Sequence, residues 1–289
     1  MSQLKEIKNR IVAVKNTQKI TRAMKMVATA KLRRAQDKIV SARPYANKID
    51  ELLKQLSSAA DTGSDPLMEQ RPVKINLVVV VTGDRGLCGS FNTNVIKFAT
   101  QKINEFGEDT KIIAVGKKSV DYFKKSGHHV IDNYPNVFSN LRIEIAKNAV
   151  AQIKKGFLDG SFDSVYLIYS EFISMIKQIP RIEKFLPIVD EPDAEKKSSK
   201  QTGDYIFEPD AASILSDLVP RQMLVKFWKA LLESNAAEQA ARMTAMDNAT
   251  RNASDLIKYL DLQYNRARQE AITKEILEIV GGAEALKEG

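Results

Sequence analysis

Val73-Lys74-Ile75-Asn76-Leu77-Val78-Val79-Val80-Val81-Thr82 runs directly into Gly83-Asp84-Arg85-Gly86-Leu87-Cys88-Gly89-Ser90 and then into a helically spaced segment, Phe91 to Phe106. A strand with one wet face alternates apolar and polar side chains, so the nearly unbroken β-branched run predicts a parallel strand covered on both faces. Lys111 to Val115 reads as another short strand, Lys117 to Lys125 as a helix, Asn140 to Phe157 as a helix and Ser164 to Tyr169 as a strand. This alternation predicts an α/β domain of doubly wound type over residues 73–192. Phe172 to Val189 holds Pro180 and Pro187, which suits irregular or edge strands. Asp193 to Gly203 is rich in Lys and Ser and reads as a loop within a connecting segment, 193–208.

Outward from this domain, both ends of the chain change character. Ser2 to Ser58 has no Gly and one Pro, Pro44, among many strong helix formers, which predicts one very long helix over 1–60, kinked or interrupted at the proline. Leu32, Ala35, Ile39, Ala42, Ala46, Ile49, Leu53 and Leu56 step by threes and fours, the seam of a coiled coil. Nearer the start, Ile7, Ile11 and Val14 point about 140° away from Ile20, Met24 and Val27, and about 100° away even with heptad winding. A helix with two apolar faces needs two neighbours. Pro209 and Asp210 suit the start of a second long helix over 209–289, with apolar positions Leu224, Phe227, Leu231, Met243, Met246, Ala249, Ala253, Leu256, Leu260, Ala267 and Ala271. Only Pro220 threatens it before Gly281-Gly282. The helices would be about 85 and 90 Å long, longer than a domain diameter, so they are expected to pair as an antiparallel coiled coil projecting from the central domain.

The chain has 289 residues, 44% of them hydrophobic, which excludes global disorder. Charge is uneven: residues 1–60 carry 14 basic and 4 acidic groups, residues 61–209 carry 20 of each, and residues 210–289 carry 10 and 12. The N-terminal helix therefore suits anionic partners, whether nucleic acid, lipid headgroups or acidic protein surfaces. Lys8, Lys15, Lys19, Arg22 and Arg33 fall within about 60° of one another around it and form a basic stripe. A solvated face is the plain alternative. Residues 1–60 contain one aromatic, Tyr45, too few for a stacking nucleic-acid module. The first residues lack the apolar stretch of a secretory signal, so an intracellular protein is expected. No apolar run approaches the roughly 20 residues of a membrane span, so contact with a membrane is expected only through partners.

The glycine-rich stretch 82–90 sits where such loops hold phosphate against a helix N-terminus. Its glycines at 83, 86 and 89 fit neither G-x-x-x-x-G-K-[ST] nor G-x-G-x-x-G, so it reads as a structural turn, with nucleotide binding as the alternative. Cys88, the one cysteine, and the adjacent His128 and His129 lack metal-ligand spacing, and pairing Cys88 with either histidine as a nucleophile needs a tertiary contact. No catalytic, cofactor or metal site is expected.

Ile272-Thr273-Lys274-Glu275-Ile276-Leu277-Glu278-Ile279-Val280-Gly281-Gly282-Ala283-Glu284-Ala285 closely resembles the C-terminal signature of the F-type ATP synthase gamma subunit family. Lys15-Asn16-Thr17-Gln18-Lys19-Ile20-Thr21-Arg22-Ala23-Met24-Lys25-Met26-Val27-Ala28 is similar to the family's N-terminal helix, and Thr82 to Asn94 to its Gly-rich turn. Tyr205 to Pro209 and Ala240 to Thr250 match as well, so the resemblance spans the chain.

The resemblance implies a bacterial-type rotor shaft: antiparallel terminal helices inside a ring of three alpha and three beta subunits, with a Rossmann-like α/β domain at the foot. It implies that the basic stripe faces acidic elements of beta, that Arg268 and Gln269 engage a beta-subunit loop, and that Met24, Arg242, Thr273 and Glu275 couple rotation to catalysis. Tyr205, Ile206, Phe207 and Glu208 would approach the c-subunit ring, and the α/β domain the epsilon subunit. The chain would be a single copy in a hetero-oligomer, peripheral at the cytoplasmic face of the bacterial inner membrane, without cofactor or catalysis of its own. Photosynthetic relatives carry an inserted pair of regulatory cysteines, which Asp193 to Gly203 lacks. Two other classes remain open on the residues alone: a phosphate-using α/β enzyme with a helical arm, and a basic coiled-coil nucleic-acid binder.

Overall fold

The computed structural model describes residues 2–59, 65–188 and 210–285. The elements are α1 (Ser2–Ala59), β1 (Asn76–Val81), α2 (Phe91–Phe106), β2 (Thr110–Val115), α3 (Lys117–Lys125), β3 (His129–Tyr134), α4 (Ile143–Leu158), β4 (Ser164–Phe172), β5 (Gln178–Leu186) and α5 (Ala211–Ala285). They form two compact units, one of Met1–Thr29 with Arg242–Gly289 and one of Ala30–Ala241.

In the larger unit the sheet order is β3-β2-β1-β4-β5. All six residues of β1 are buried, as the unbroken apolar run requires of a central strand, and β1 is parallel to β2 and β4. Because side chains alternate across a strand, Leu77, Val79 and Val81 join a core with Ile153 and Phe157 of α4, Phe227 and Leu231 of α5, and Leu53 and Leu56 of α1. Val78 and Val80 face Val95, Ala99 and Ile103 of α2 and Phe123 of α3. Helices thus cover both faces, the doubly wound arrangement. β5 is an antiparallel edge strand, and Pro180, which has no N–H to give, pairs with Ser170 there.

Three expectations need correction. His129–Tyr134 is a strand that sequence patterning did not separate from its surroundings, since none of its residues is fully buried. The helix expected from Asn140 begins at Ile143, after a 3₁₀ turn at Val137–Ser139. Neither proline nor the Gly281-Gly282 pair ends a helix: α1 continues through Pro44, and α5 through Pro220 and on to Ala285. Pro44 is exposed on the side of α1 away from its buried seam, where the carbonyl freed by the missing N–H meets water. Asp210 caps α5, its Oδ1 accepting from Ser213 N at 2.8 Å and its Oδ2 from Ser213 Oγ at 2.7 Å.

Buried or half-buried positions of α1 include 4, 7, 11, 14, 18, 21, 25, 28, 32, 35, 39, 42, 46, 49, 53 and 56, an unbroken heptad series, with Met24, Gln36, Leu52 and Gln55 half-buried at its borders. Near the start the seam passes through Gln18, Thr21, Lys25 and Ala28, while Ile20 and Val27 of the expected second apolar face are 60% and 56% exposed. On α5 the seam residue is Ile257, and the expected Leu256 is exposed. In each unit the two long helices run antiparallel, with Thr21 against Thr250 and Lys25 against Asp247 in the smaller, and Asp50 against Gln222 in the larger.

Candidate functional site

The glycine-rich turn is wired to its own chain. Gly83 N donates to Asn92 Oδ1 at 2.8 Å, and Asn92 Nδ2 donates to Arg85 O at 3.1 Å. The two carboxylate oxygens of Asp84 accept from Lys117 N at 2.9 Å and Phe138 N at 2.8 Å, so a side chain of this chain caps the start of α3. Thr82 Oγ1 accepts from Ser119 N at 2.8 Å. A Cβ on Gly83 would lie 2.9 Å from Cδ and Oε1 of Glu238, so the carboxyl of an α5 side chain packs directly against the backbone of the turn. The turn is a joint between β1, α3 and α5. Cys88 is buried beside Phe91 and Ala237, with its thiol donating to Arg85 O and accepting from Asn92 Nδ2, while His128 packs against the ring of Phe123. The described residues contain no group of three or more His, Cys, Asp or Glu placed to hold a metal.

The remaining candidates lie on the long helices. In heptad terms Lys8, Lys15 and Arg22 occupy the position about 50° from the seam on one flank, and Lys19 and Arg33 the position about 100° round on the same side. All five are exposed. Met24 is half-buried and borders the seam on the opposite flank, beside Ile20 and Val27. α1 therefore carries a basic flank and an apolar flank.

On α5, Arg242 is half-buried, whereas Arg268, Gln269, Thr273 and Glu275 are exposed. Continuing the register set by Thr21 and Thr250 brings Leu4 opposite Ala267, and from Ile272 to Ala283 every residue is exposed. Ile272, Ile276, Leu277, Ile279 and Val280 are each at least 47% exposed. The c-ring candidates Tyr205, Ile206, Phe207 and Glu208 and the loop 193–203 lie outside the described residues.

Two polar groups were not anticipated. Lys25 Nζ and Arg251 Nη2 converge on Asp247 at 2.6 and 2.7 Å, and the hydrogen bond from Lys25 holds that carboxyl below its ordinary range. Stepping back by heptads from Leu32 would have found Lys25. The other group is Glu233, Ser234, Glu238 and Gln239 of α5, all buried. Burial pushes the Glu233 carboxyl upward. The signal for this all-round burial was the run of small residues Ala236, Ala237, Ala240 and Ala241.

These features describe a chain with two long helices carrying unpartnered apolar and basic surface and a small domain with a self-satisfied turn. A family model described as ATP synthase matches residues 3–286. The chain is 49% identical over 302 residues to the ATP synthase gamma chain of Chloroherpeton thalassium, covering 100% of this chain and 99% of that one. It is 47% identical to the ATP synthase gamma chain of Cytophaga hutchinsonii, covering 99% of each. In fold it is similar to the rotor of the Euglena gracilis mitochondrial ATP synthase, with a TM-score of 0.69 at 21% identity, covering 94% of this chain and 99% of that one. It is also similar in fold to a Tetrahymena thermophila mitochondrial central stalk structure, with a TM-score of 0.61 at 23% identity, covering 80% and 99%. A family model spanning residues 3–286 and relatives nearly half identical over the full length show that the chain belongs to the ATP synthase gamma chain family.

Proposed function

We propose that this chain is the central shaft of a rotary ATP synthase, itself non-catalytic, that turns proton-driven rotation of a c-subunit ring into cyclic opening and closing of catalytic beta subunits. The observation that carries the reading is the exposed α5 segment Ile272–Ala283 with its five large aliphatic side chains, together with the exposed Ile20 and Val27 further along the helix pair on α1. Aliphatic surface of this kind is stabilised when a surrounding protein covers it. A shaft that is basic on one flank and apolar on the other makes different contacts with each surrounding subunit, and only differential contact shifts their conformational equilibria.

In this reading Met24, Arg242, Arg268, Gln269, Thr273 and Glu275 meet the beta subunits, and Lys8, Lys15, Lys19, Arg22 and Arg33 face their acidic elements. Segments 1–60 and 209–289 form the shaft, 73–192 the foot that meets epsilon, and 193–208, through Tyr205 to Glu208, the contact with the c-ring. No described helix is long and apolar enough to cross a membrane. The protein is then held peripherally at the cytoplasmic face of the bacterial inner membrane by its partners. Reconstitution with alpha and beta tests this: a stable complex whose rotation, seen on single molecules, accompanies ATP hydrolysis is expected. Hydrolysis by the isolated chain, or failure to assemble, overturns it.

A further inference from the structure

A cavity of about 380 Å³ opens in the larger unit between α1, α5 and the start of α4. Ile39, Leu224, Trp228 and Leu232 build its apolar wall, with Tyr45 at one side. Volume and lining are those of a site for a small organic molecule. The charges around it are unevenly placed. Asp50 accepts from Gln222 Nε2 at 3.1 Å, which fixes the register of the two helices here. Arg221, the neighbour of Gln222, therefore stands at the Asp50 end of the cavity. Seven residues from that pair along each helix, at equivalent heptad positions, Arg43 comes level with Lys229. Both line the cavity and both are exposed.

Neither Arg43 nor Lys229 has a hydrogen bond or ion pair within the described residues. Glu233 feels both charges, but it is 8% exposed, its Oε2 is sealed from solvent, and burial pushes its carboxyl toward the neutral form. Two like charges held level across a helix pair repel, and an anion seated between them removes that repulsion and gains charge-assisted hydrogen bonds. The planar fork of an arginine matches a carboxylate, and the adjoining wall is apolar and aromatic. We propose that this cavity binds a small amphipathic carboxylate, whose head group accepts from Arg43 and Lys229 while its apolar or aromatic body lies against Trp228 and Leu224.

Trp228 is the single tryptophan of the chain, so its fluorescence reads the cavity directly. Titrating the full chain with 4-phenylbutyrate, 4-phenylbutanol and 4-phenylbutylamine is the test. The carboxylate is expected to give a saturable change at a concentration at least tenfold below either control. Arg43→Gln combined with Lys229→Gln is expected to weaken the carboxylate about tenfold and to leave the alcohol unchanged, the alcohol reporting that the cavity is intact. Arg221→Gln, at the other end, should change carboxylate binding less than twofold. Equal affinity for all three probes, carboxylate binding that survives the double variant, a loss in Arg221→Gln as large as in the double variant, loss of carboxylate and alcohol together, or no saturable change each overturns the proposal. None of these outcomes bears on assembly or rotation.

Discussion

The hydroxyl oxygens of Thr21 and Thr250 lie 2.8 Å apart across the α1–α5 seam, 229 residues apart in sequence. Each also has a carbonyl of its own helix as a second partner, Gln18 O at 3.1 Å for Thr21 and Met246 O at 2.7 Å for Thr250. The pair is a polar layer in a seam that also holds Ile11 and Leu32, and such layers choose one register among several apolar alternatives. Because of the alternative carbonyls, Thr21→Val and Thr250→Val are each expected to be mild. A double-mutant cycle on the folded chain should still show a coupling of about 0.5–1.5 kcal/mol. Zero coupling by urea denaturation would mean the two hydroxyls prefer their own helices.

Three residues before Thr250, Asp247 should give the helix pair an acid limb. Its folded pKa lies below the ordinary 3.8, chiefly through the hydrogen bond from Lys25 and further through Arg251. A depressed carboxyl contributes stability that is fully present above its unfolded pKa and is lost as pH falls through the folded value. Melting temperature should therefore fall more steeply below pH 4 in the native chain than in Asp247→Asn. Parallel acid limbs for the two proteins would dismiss the ion pair as a stabilising contact.

Gly83 and Gly86 lie three residues apart in one turn and should respond oppositely to alanine. A Cβ at 83 meets the carboxyl of Glu238, which is 3% exposed and has little room to retreat, whereas a Cβ at 86 meets nothing within 4 Å. Gly83→Ala is expected to destabilise the chain by about 1–3 kcal/mol as an overpacking change. Gly86→Ala should be within about 0.5 kcal/mol of neutral, like other open surface positions. Denaturant midpoints of the two variants, measured side by side, decide the matter.

On the apolar flank, Ile20→Ser with Val27→Ser should leave the isolated chain as stable as before, to within about 0.5 kcal/mol per site, since both side chains are largely exposed. The same double variant should lower the yield of complex with alpha and beta. A stability loss well beyond this, without any assembly defect, would assign these residues to the folding of the helix pair.

Much of this architecture follows from local patterning. The run through Val78–Val81 could only be a strand with both faces dry, and Phe91–Phe106 and Lys117–Lys125 were delimited residue for residue as α2 and α3. The seam from Leu32 to Leu56 was equally legible, because seven-residue spacing of aliphatics reports burial directly. The failed phosphate motif was legible too, since missing lysine and misplaced glycines are facts of spacing.

What the residues determined by themselves was therefore which elements form and which surfaces are basic or apolar, because propensity and periodicity act within a few turns of chain. Tertiary structure alone decided which side of α1 near Thr21 is buried. Ile20 and Val27 are more apolar than Thr21 and Lys25, yet they stay outside. The heptad register is set along the whole helix pair, and a helix cannot rotate locally to bury its better face without breaking the layers on either side. Tertiary structure likewise decided that Glu238 stands against Gly83, since that contact depends on where α5, 155 residues later in the chain at Glu238, returns to the turn.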